Sequence, residues 1–231
     1  PSAAKRRSKK SSISFNKTFH QPMATRKSFR TEHDSLGSKS VPPGAYYGVE
    51  TLRAVENFPI SGLRFHPHLI WALGAIKKAC ALANLSRRSL DSRRGRAIIR
   101  AAEEVIAGKL NSHFVTDALQ SGAGVSLHMN ANEVIANRAL EILHKKRGDY
   151  EFLSSHDHVN MGQSTNDVIP TAIRIGASRL LREFFEAARP LEQAFAKTIQ
   201  QGKVTYDLER LMVGATKLKT SEFAKAIVGN M

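Results

Sequence analysis

An all-α fold is predicted for this chain, and three observations predict it. Apolar residues recur at spacings of three and four over four separate segments, the period of one helix face. The longest of these patterns runs from Val168 to Gln200, a length that belongs in a bundle rather than a compact α/β domain. No segment shows a convincing strand alternation, and no internal repeat is present. The expected organisation is a basic disordered leader over residues 1–31, a small N-terminal helical domain over 32–167, and the first part of a long helix bundle over 168–231.

The elements follow in order. Residues 32–58 carry Gly37, Pro42, Pro43, Gly44 and Gly48, so they read as a structured loop with short extended pieces, with a helical turn over Leu52 to Asn57. Pro67 suits the first turn of a helix whose apolar face is Leu69, Leu73, Ile76 and Cys80. Ile98, Ile99, Ala102, Val105 and Ile106 mark a second helix ending near Gly108. A third is expected to start at Asn130 or Asn132, both good N-caps, with Glu133 in its first turn. Lys145, Lys146 and Arg147 suit its negative end, and Gly148 its C-cap. The fourth, with Ile173, Ala177, Leu181, Phe184, Ala188, Leu191, Phe195 and Ile199 on one face, is expected to kink at Pro190.

Composition narrows the class. The chain has 231 residues, 42% of them hydrophobic, enough to bury a sizeable core. One cysteine, Cys80, excludes an internal disulfide framework and a Cys-rich zinc site; it is expected to be a buried inert thiol, and a reducing compartment fits. No run of 18 apolar residues occurs, so no membrane span is expected. The formal charge of +15 is uneven: nine Lys and Arg and no acid lie in residues 1–31, which leaves +6 for the other 200. That Ser-rich basic tail reads as a disordered leader, with an organelle transit peptide and a nucleic-acid contact as alternatives. Nucleic-acid binding is the weaker of these, because no aromatic residues interleave with the basic ones in a known binding motif. The location expected is cytoplasmic, or mitochondrial if the leader is a transit peptide.

Two stretches carry chemistry. Gly162 to Thr171, "GQSTNDVIPT", places Ser164, Thr165, Asn166 and Asp167 directly before the long helix. A helix start exposes unpaired N–H groups and partial positive charge, so it binds carboxylates and phosphates; the hydroxyls and the Asn166 amide add donors. The plain alternative is that Ser164 or Thr165 only caps the helix. Gln120 to Ala139, "QSGAGVSLHMNANEVIANRA", also sets a Gly- and Ser-rich loop before a helix. There Gly122 and Gly124 allow close backbone approach, and Ser126, His128, Asn130 and Asn132 offer polar groups.

These stretches, with "EHDSLG", "VPPGAYYGVETLRAVENFPI" and "HDHVNMGQSTNDVIPTA", resemble the aspartase/fumarase superfamily from Glu32 to about Ile175. The resemblance implies a homotetramer with a central helix bundle. It implies addition or elimination of ammonia or water across the double bond of fumarate or a fumarate derivative, with no organic cofactor and no metal. "AYYGVETLRAVENF" and "QSTND" are more similar to the aspartase branch, which implies elimination of ammonia from L-aspartate to give fumarate. Fumarate hydratase and a non-catalytic carboxylate-binding lyase relative remain the alternatives. By resemblance the substrate-binding residues are Ser164, Thr165, Asn166, Ser126, Asn130, Arg53 and Thr216, with Asn166 also near the leaving amine. For Arg53 a surface ion pair is an equal reading.

The sequence departs from the family pattern in three places. Val125 stands where the family loop has threonine, and His128 where it has asparagine. "GATKLK", Gly214 to Lys219, is the only counterpart of the family's "GRTHLQDA" segment, with Thr216 as the matching threonine. The "GSSxMPxKxNP" signature, which carries the family's base, is not among the 231 residues, so no catalytic residue is assigned and the chain is expected to be an N-terminal portion. His156 and His158 offer a metal only an i, i+2 pair, a weak signal.

Overall fold

A computed structural model describes residues 29–231 except Ser121; the expected leader, residues 1–31, falls almost wholly outside the described residues. The fold is helical. In chain order, β1 (Arg30–Asp34) and β2 (Gly37–Val41) precede α1 (Val49–Asn57), α2 (Pro67–Ser86), α3 (Ser92–Ile106), α4 (Val125–Ile142) and α5 (Thr165–Gln200). β3 (Lys203–Val204), α6 (Tyr206–Glu209), β4 (Thr216–Lys217) and α7 (Thr220–Val228) follow.

Two small sheets correct the expectation of none. β1 and β2 pair antiparallel from Arg30↔Val41 to Asp34↔Gly37, and β3 and β4 pair in parallel over two residues each. The hairpin is polar on both faces, so alternation did not reveal it. Ion pairs hold it instead: Arg30 Nε lies 2.6 Å from Glu32 Oε1, and Arg53 Nε 2.6 Å from Asp34 Oδ2.

The core lies where α2, α3 and α4 pack together, centred on Leu73, Ile98, Val105, Leu127, Ile135 and Leu140, all essentially inaccessible. It continues into the first turns of α5 through Val168, Ile169 and Ala172. α2 buries Ile70, Ala72, Leu73, Gly74, Lys77 and Ala81, while Leu69, Ile76 and Cys80 are only half-buried. The helix is apolar nearly all round, so spacing alone did not single out its inner face. By length and composition α2 is apolar enough to cross a membrane, yet here it packs against α3 and α5.

Helix ends differ from expectation as well. α4 starts at Val125, so Asn130 and Asn132 are not caps but fully buried residues inside the helix. Its start is closed by Gln120, whose Oε1 accepts from Leu127 N at 2.7 Å. Its end turns at His144, with φ of 57°, and Lys145 N donates to Leu140 O; Gly148 lies beyond and donates to Asn137 Oδ1. α5 starts three residues before Val168 and stays helical through Pro170 and Pro190, each of which removes one ladder hydrogen bond. Beyond Ala172 most of its expected apolar face is exposed, with Leu181, Phe184 and Leu191 open, Phe184 by 64%, while Ala188 and Ile199 are half-buried and Phe195 meets Phe223 edge-on.

Candidate functional site

The two loop-to-helix junctions singled out in the sequence meet in the structure. Gly122, Ala123 and Gly124 have φ of 69°, 51° and 91°, three left-handed residues in succession that reverse the chain before α4. A side chain at Gly124 would sit 3.0 Å from Ile169 Cγ2, so glycine there lets the turn press on α5. Ala123 holds a left-handed backbone that costs a non-glycine residue about 1 kcal/mol. Between this turn and the first turns of α5 lies a cleft of about 520 Å³, mostly apolar, with Gln120 and Asn166 as its polar side chains.

At the start of α5, Ser164 is the N-cap: its Oγ accepts from Asn166 N at 3.2 Å. Ser164 and Asn166 are exposed, and Thr165 is half-buried. Thr165 is tied inward, its Oγ1 lying 2.7 Å from His128 Nδ1. On the far side of the ring, His128 Nε2 lies 2.7 Å from Lys77 Nζ, which also donates to Asn160 Oδ1 at 2.9 Å and Gln163 Oε1 at 2.8 Å. Lys77 is fully buried in the middle of α2, and burial lowers its pKa to about 7. Burial, with the Lys77 charge beside it, holds His128 down at about 3, so the imidazole is neutral.

The other residues named from the sequence sit elsewhere. Both ends of the Asn130 amide are used by the neighbouring loop: Oδ1 accepts from Val115 N, and Nδ2 donates to His113 O, each at 2.9 Å. Arg53 grips Asp34 with two nitrogens and Gly37 O with one, and neither it nor any other α1 residue lines the cleft. Ser126 is half-buried at the start of α4; like Ser164 and Thr165, and unlike Asn166, it is not among the residues that line the cleft. Thr216 belongs to β4, at the far end of α5; 36 helical residues put it roughly 50 Å from Ser164 within one chain. His156 Nε2 pairs with Glu50 at 2.5 Å, whereas His158 Nδ1 accepts from Ser154 N, so the two histidines turn to different partners. Val125, the residue in place of the family threonine, is 43% exposed.

Sequence reasoning missed Lys77, Asn160 and Gln163. A signal for Lys77 existed: in "WALGAIKKACALA" it is one of two adjacent lysines inside an otherwise apolar helix. Glu133 was read only as a first-turn charge, yet it is fully buried. Its carboxylate accepts from Gly48 N at 2.8 Å, Glu50 N at 2.9 Å and Thr51 N at 3.0 Å. Burial raises it to about 7, against these three bonds. A second opening, about 570 Å³ between α2 and the outer face of α5, is lined by Trp71 and three arginines, of which Arg179 stacks on Trp71. Arg179 also pairs with Glu183, so its charge is already answered.

A helical scaffold here brings two Gly/Ser-rich helix starts to one cleft, and comparison with known proteins says which family builds it. The profile of the family described as "Lyase" matches residues 37–222, and the chain belongs to that family, within the aspartase/fumarase superfamily and most like its aspartate ammonia-lyases. It is 52% identical to the aspartate ammonia-lyase of Bacillus sp over 168 residues, 73% of this chain and 36% of that enzyme. It is also 52% identical over 149 residues to the class II fumarate hydratase of Halobacterium salinarum, 64% of this chain and 32% of that enzyme. Among solved structures, the fumarate lyase:delta crystallin of Brucella melitensis in native form is similar with a TM-score of 0.68 and 47% identity, over 75% of this chain and 39% of that one. The chain thus spans under two-fifths of the length of these relatives.

Proposed function

We propose that this chain supplies the carboxylate-binding part of an aspartate ammonia-lyase, which eliminates ammonia from L-aspartate to give fumarate and runs the reverse addition. The observation that carries the reading is the convergence of the 120–128 turn and the start of α5 on one cleft. The aspartate Cβ proton is weakly acidic. A base removes it only when the neighbouring carboxylate is gripped so that the aci-dianion is stabilised by donors already in place. Asn166, which lines the cleft, and Ser164 and Thr165 beside it at the start of α5 are those donors, and the α5 dipole adds its positive end. Asn166 is exposed and lines the cleft, which supports the role beside the leaving amine that the family resemblance implies. Arg53, Asn130 and Thr216 are left out of this grip because of where the structure places them.

The mostly exposed apolar face of α5 supports self-association, as a homotetramer in keeping with the family resemblance. A cytoplasmic location is part of the same proposal, in keeping with the free thiol Cys80. The test mixes the protein with L-aspartate or L-malate and follows fumarate by its ultraviolet absorbance. No base is assigned among these 231 residues, so the expectation is about selectivity: any fumarate formed comes from aspartate and not from malate. Fumarate from malate makes the protein a hydratase, a reading favoured by the Halobacterium relative. No turnover, with fumarate still bound, leaves a carboxylate-binding protein. Sedimentation should show oligomers; a well-behaved monomer removes the tetramer from the proposal.

A further inference from the structure

Among the described residues Lys77 has three hydrogen-bond partners, none of them a carboxylate: Asn160 Oδ1, Gln163 Oε1 and His128 Nε2. The two amides cannot be turned round. Asn160 Nδ2 donates to Gln163 O, and Gln163 Nε2 donates to Val159 O, so their oxygens must face the lysine. Two Lys77 hydrogens are therefore spent on amide oxygens, and what remains on Nζ faces His128.

Two self-consistent arrangements follow. An ammonium has a third hydrogen, which His128 Nε2 accepts; the neutral ring then carries its hydrogen on Nδ1 and donates to Thr165 Oγ1. Thr165 has accepted, so its own hydroxyl hydrogen is free for an anion at the start of α5, beside the cleft that Asn166 lines. A neutral amine instead turns its lone pair to His128, which must donate from Nε2. Nδ1 then accepts from Thr165, and the hydroxyl shows only lone pairs outward.

We propose that Lys77 and His128 are positioning residues that set the polarity of Thr165: the charged lysine, acting through the Nδ1–H tautomer of His128, makes Thr165 a donor to a substrate carboxylate, and the neutral lysine withdraws it. This rests on the carboxylate reading of the cleft. The titratable groups facing Lys77 are His128 from α4 and Cys80 on its own helix; the 160–163 turn offers neutral amides and the start of α5 only Thr165. With Lys77 titrating at about 7 and His128 neutral far below that, the lysine is the group that switches. Carboxylate binding and proton uptake by Lys77 therefore favour one another.

The test is a two-bond proton–nitrogen correlation spectrum of the protein labelled with nitrogen-15 histidine, in which His128 is identified by its loss in His128→Asn. At about pH 6 the expected state is Nδ1–H, and by about pH 8.5 it moves towards Nε2–H. In Lys77→Met the titration disappears. One unchanged tautomer across this range in the wild type overturns the proposal, even if Lys77→Met does not fold. A titration that survives in Lys77→Met overturns the role of the lysine. Fumarate, the probe ligand, should then bind about tenfold more weakly to Lys77→Met and to Thr165→Val at the lower pH, with no further loss in the double variant. Equal affinity in wild type and Lys77→Met overturns the coupling alone. A wild type that switches tautomer yet binds no fumarate overturns the carboxylate reading of the cleft, and with it the use made of the switch.

Discussion

The starts of α1 and α5 present the same unpaired N–H groups, but only one of them is filled from inside. At α1 the buried Glu133 carboxylate reaches across from α4 and takes the N–H groups of Gly48, Glu50 and Thr51, while Glu32 Oε2 takes that of Val49 at 2.9 Å. Gly48 has no room for a side chain: a Cβ would lie 2.4 Å from Tyr150 Oη and 2.5 Å from Glu32 Oε2. At α5 the only side-chain cap is Ser164, on the chain itself, and the end faces a cleft. A helix start that the protein closes with its own carboxylate is scaffold. One that it leaves to a serine is available to a carboxylate from outside.

This comparison can be broken at several points. The largest effect is expected from Glu133→Ala, which orphans three buried N–H groups and should cost about 4 kcal/mol in urea denaturation. A loss under about 1 kcal/mol would mean that α1 does not depend on its internal carboxylate. Gly48→Ala should lower stability by about 2 kcal/mol, because backbone and carboxylates must move apart to admit the methyl group; an unchanged melting temperature would refute the close fit. Ser164→Ala should cost about 1 kcal/mol as a lost cap, and it should also weaken fumarate binding, a second effect that Glu133 variants folded at low temperature should not show.

A pH series sharpens the contrast further. Glu133 has its folded pKa raised from 4.5 to about 7, so its contribution to stability is fully present below 4.5 and is lost as pH rises through about 7. Glu133→Gln should remove that part of the slope, seen as a stability difference from wild type that changes between those two values. A constant difference would show that Glu133 is ionised throughout. The smallest effect is expected from Arg53→Met. It breaks a partly exposed pair with Asp34, costs under about 1 kcal/mol, and leaves fumarate affinity unchanged; a tenfold fall in affinity would return Arg53 to the binding site.

The long helices were legible in the sequence because each carries enough apolar residues at helical spacing to outweigh local detail. α3 and α5 were found in this way, and so was Ser164 as the start of a helix. The hairpin was not legible, since its strands are polar and held by Arg30, Arg53 and their acids rather than by an apolar face. Asn130 and Asn132 misled because a capping residue and a buried amide look alike until the partner loop is known. The proposed carboxylate site was half legible: its donors stand in one short string, but the groups behind Thr165 come from α4, α2 and the turn before α5.

Sequence by itself determined the helical class, the length of α5, the two polar helix starts and the family. Each of these depends on residues near one another in the chain, where spacing and composition act directly. Tertiary structure alone decided which helix start is closed and which is open, that Thr216 lies at the opposite end of α5 from Ser164, and that a buried lysine stands behind Thr165. The last depends on groups 51 to 86 residues from Lys77, and on the desolvation that packing imposes on them. No local pattern encodes that desolvation, because it is set by whatever the rest of the chain lays over the site.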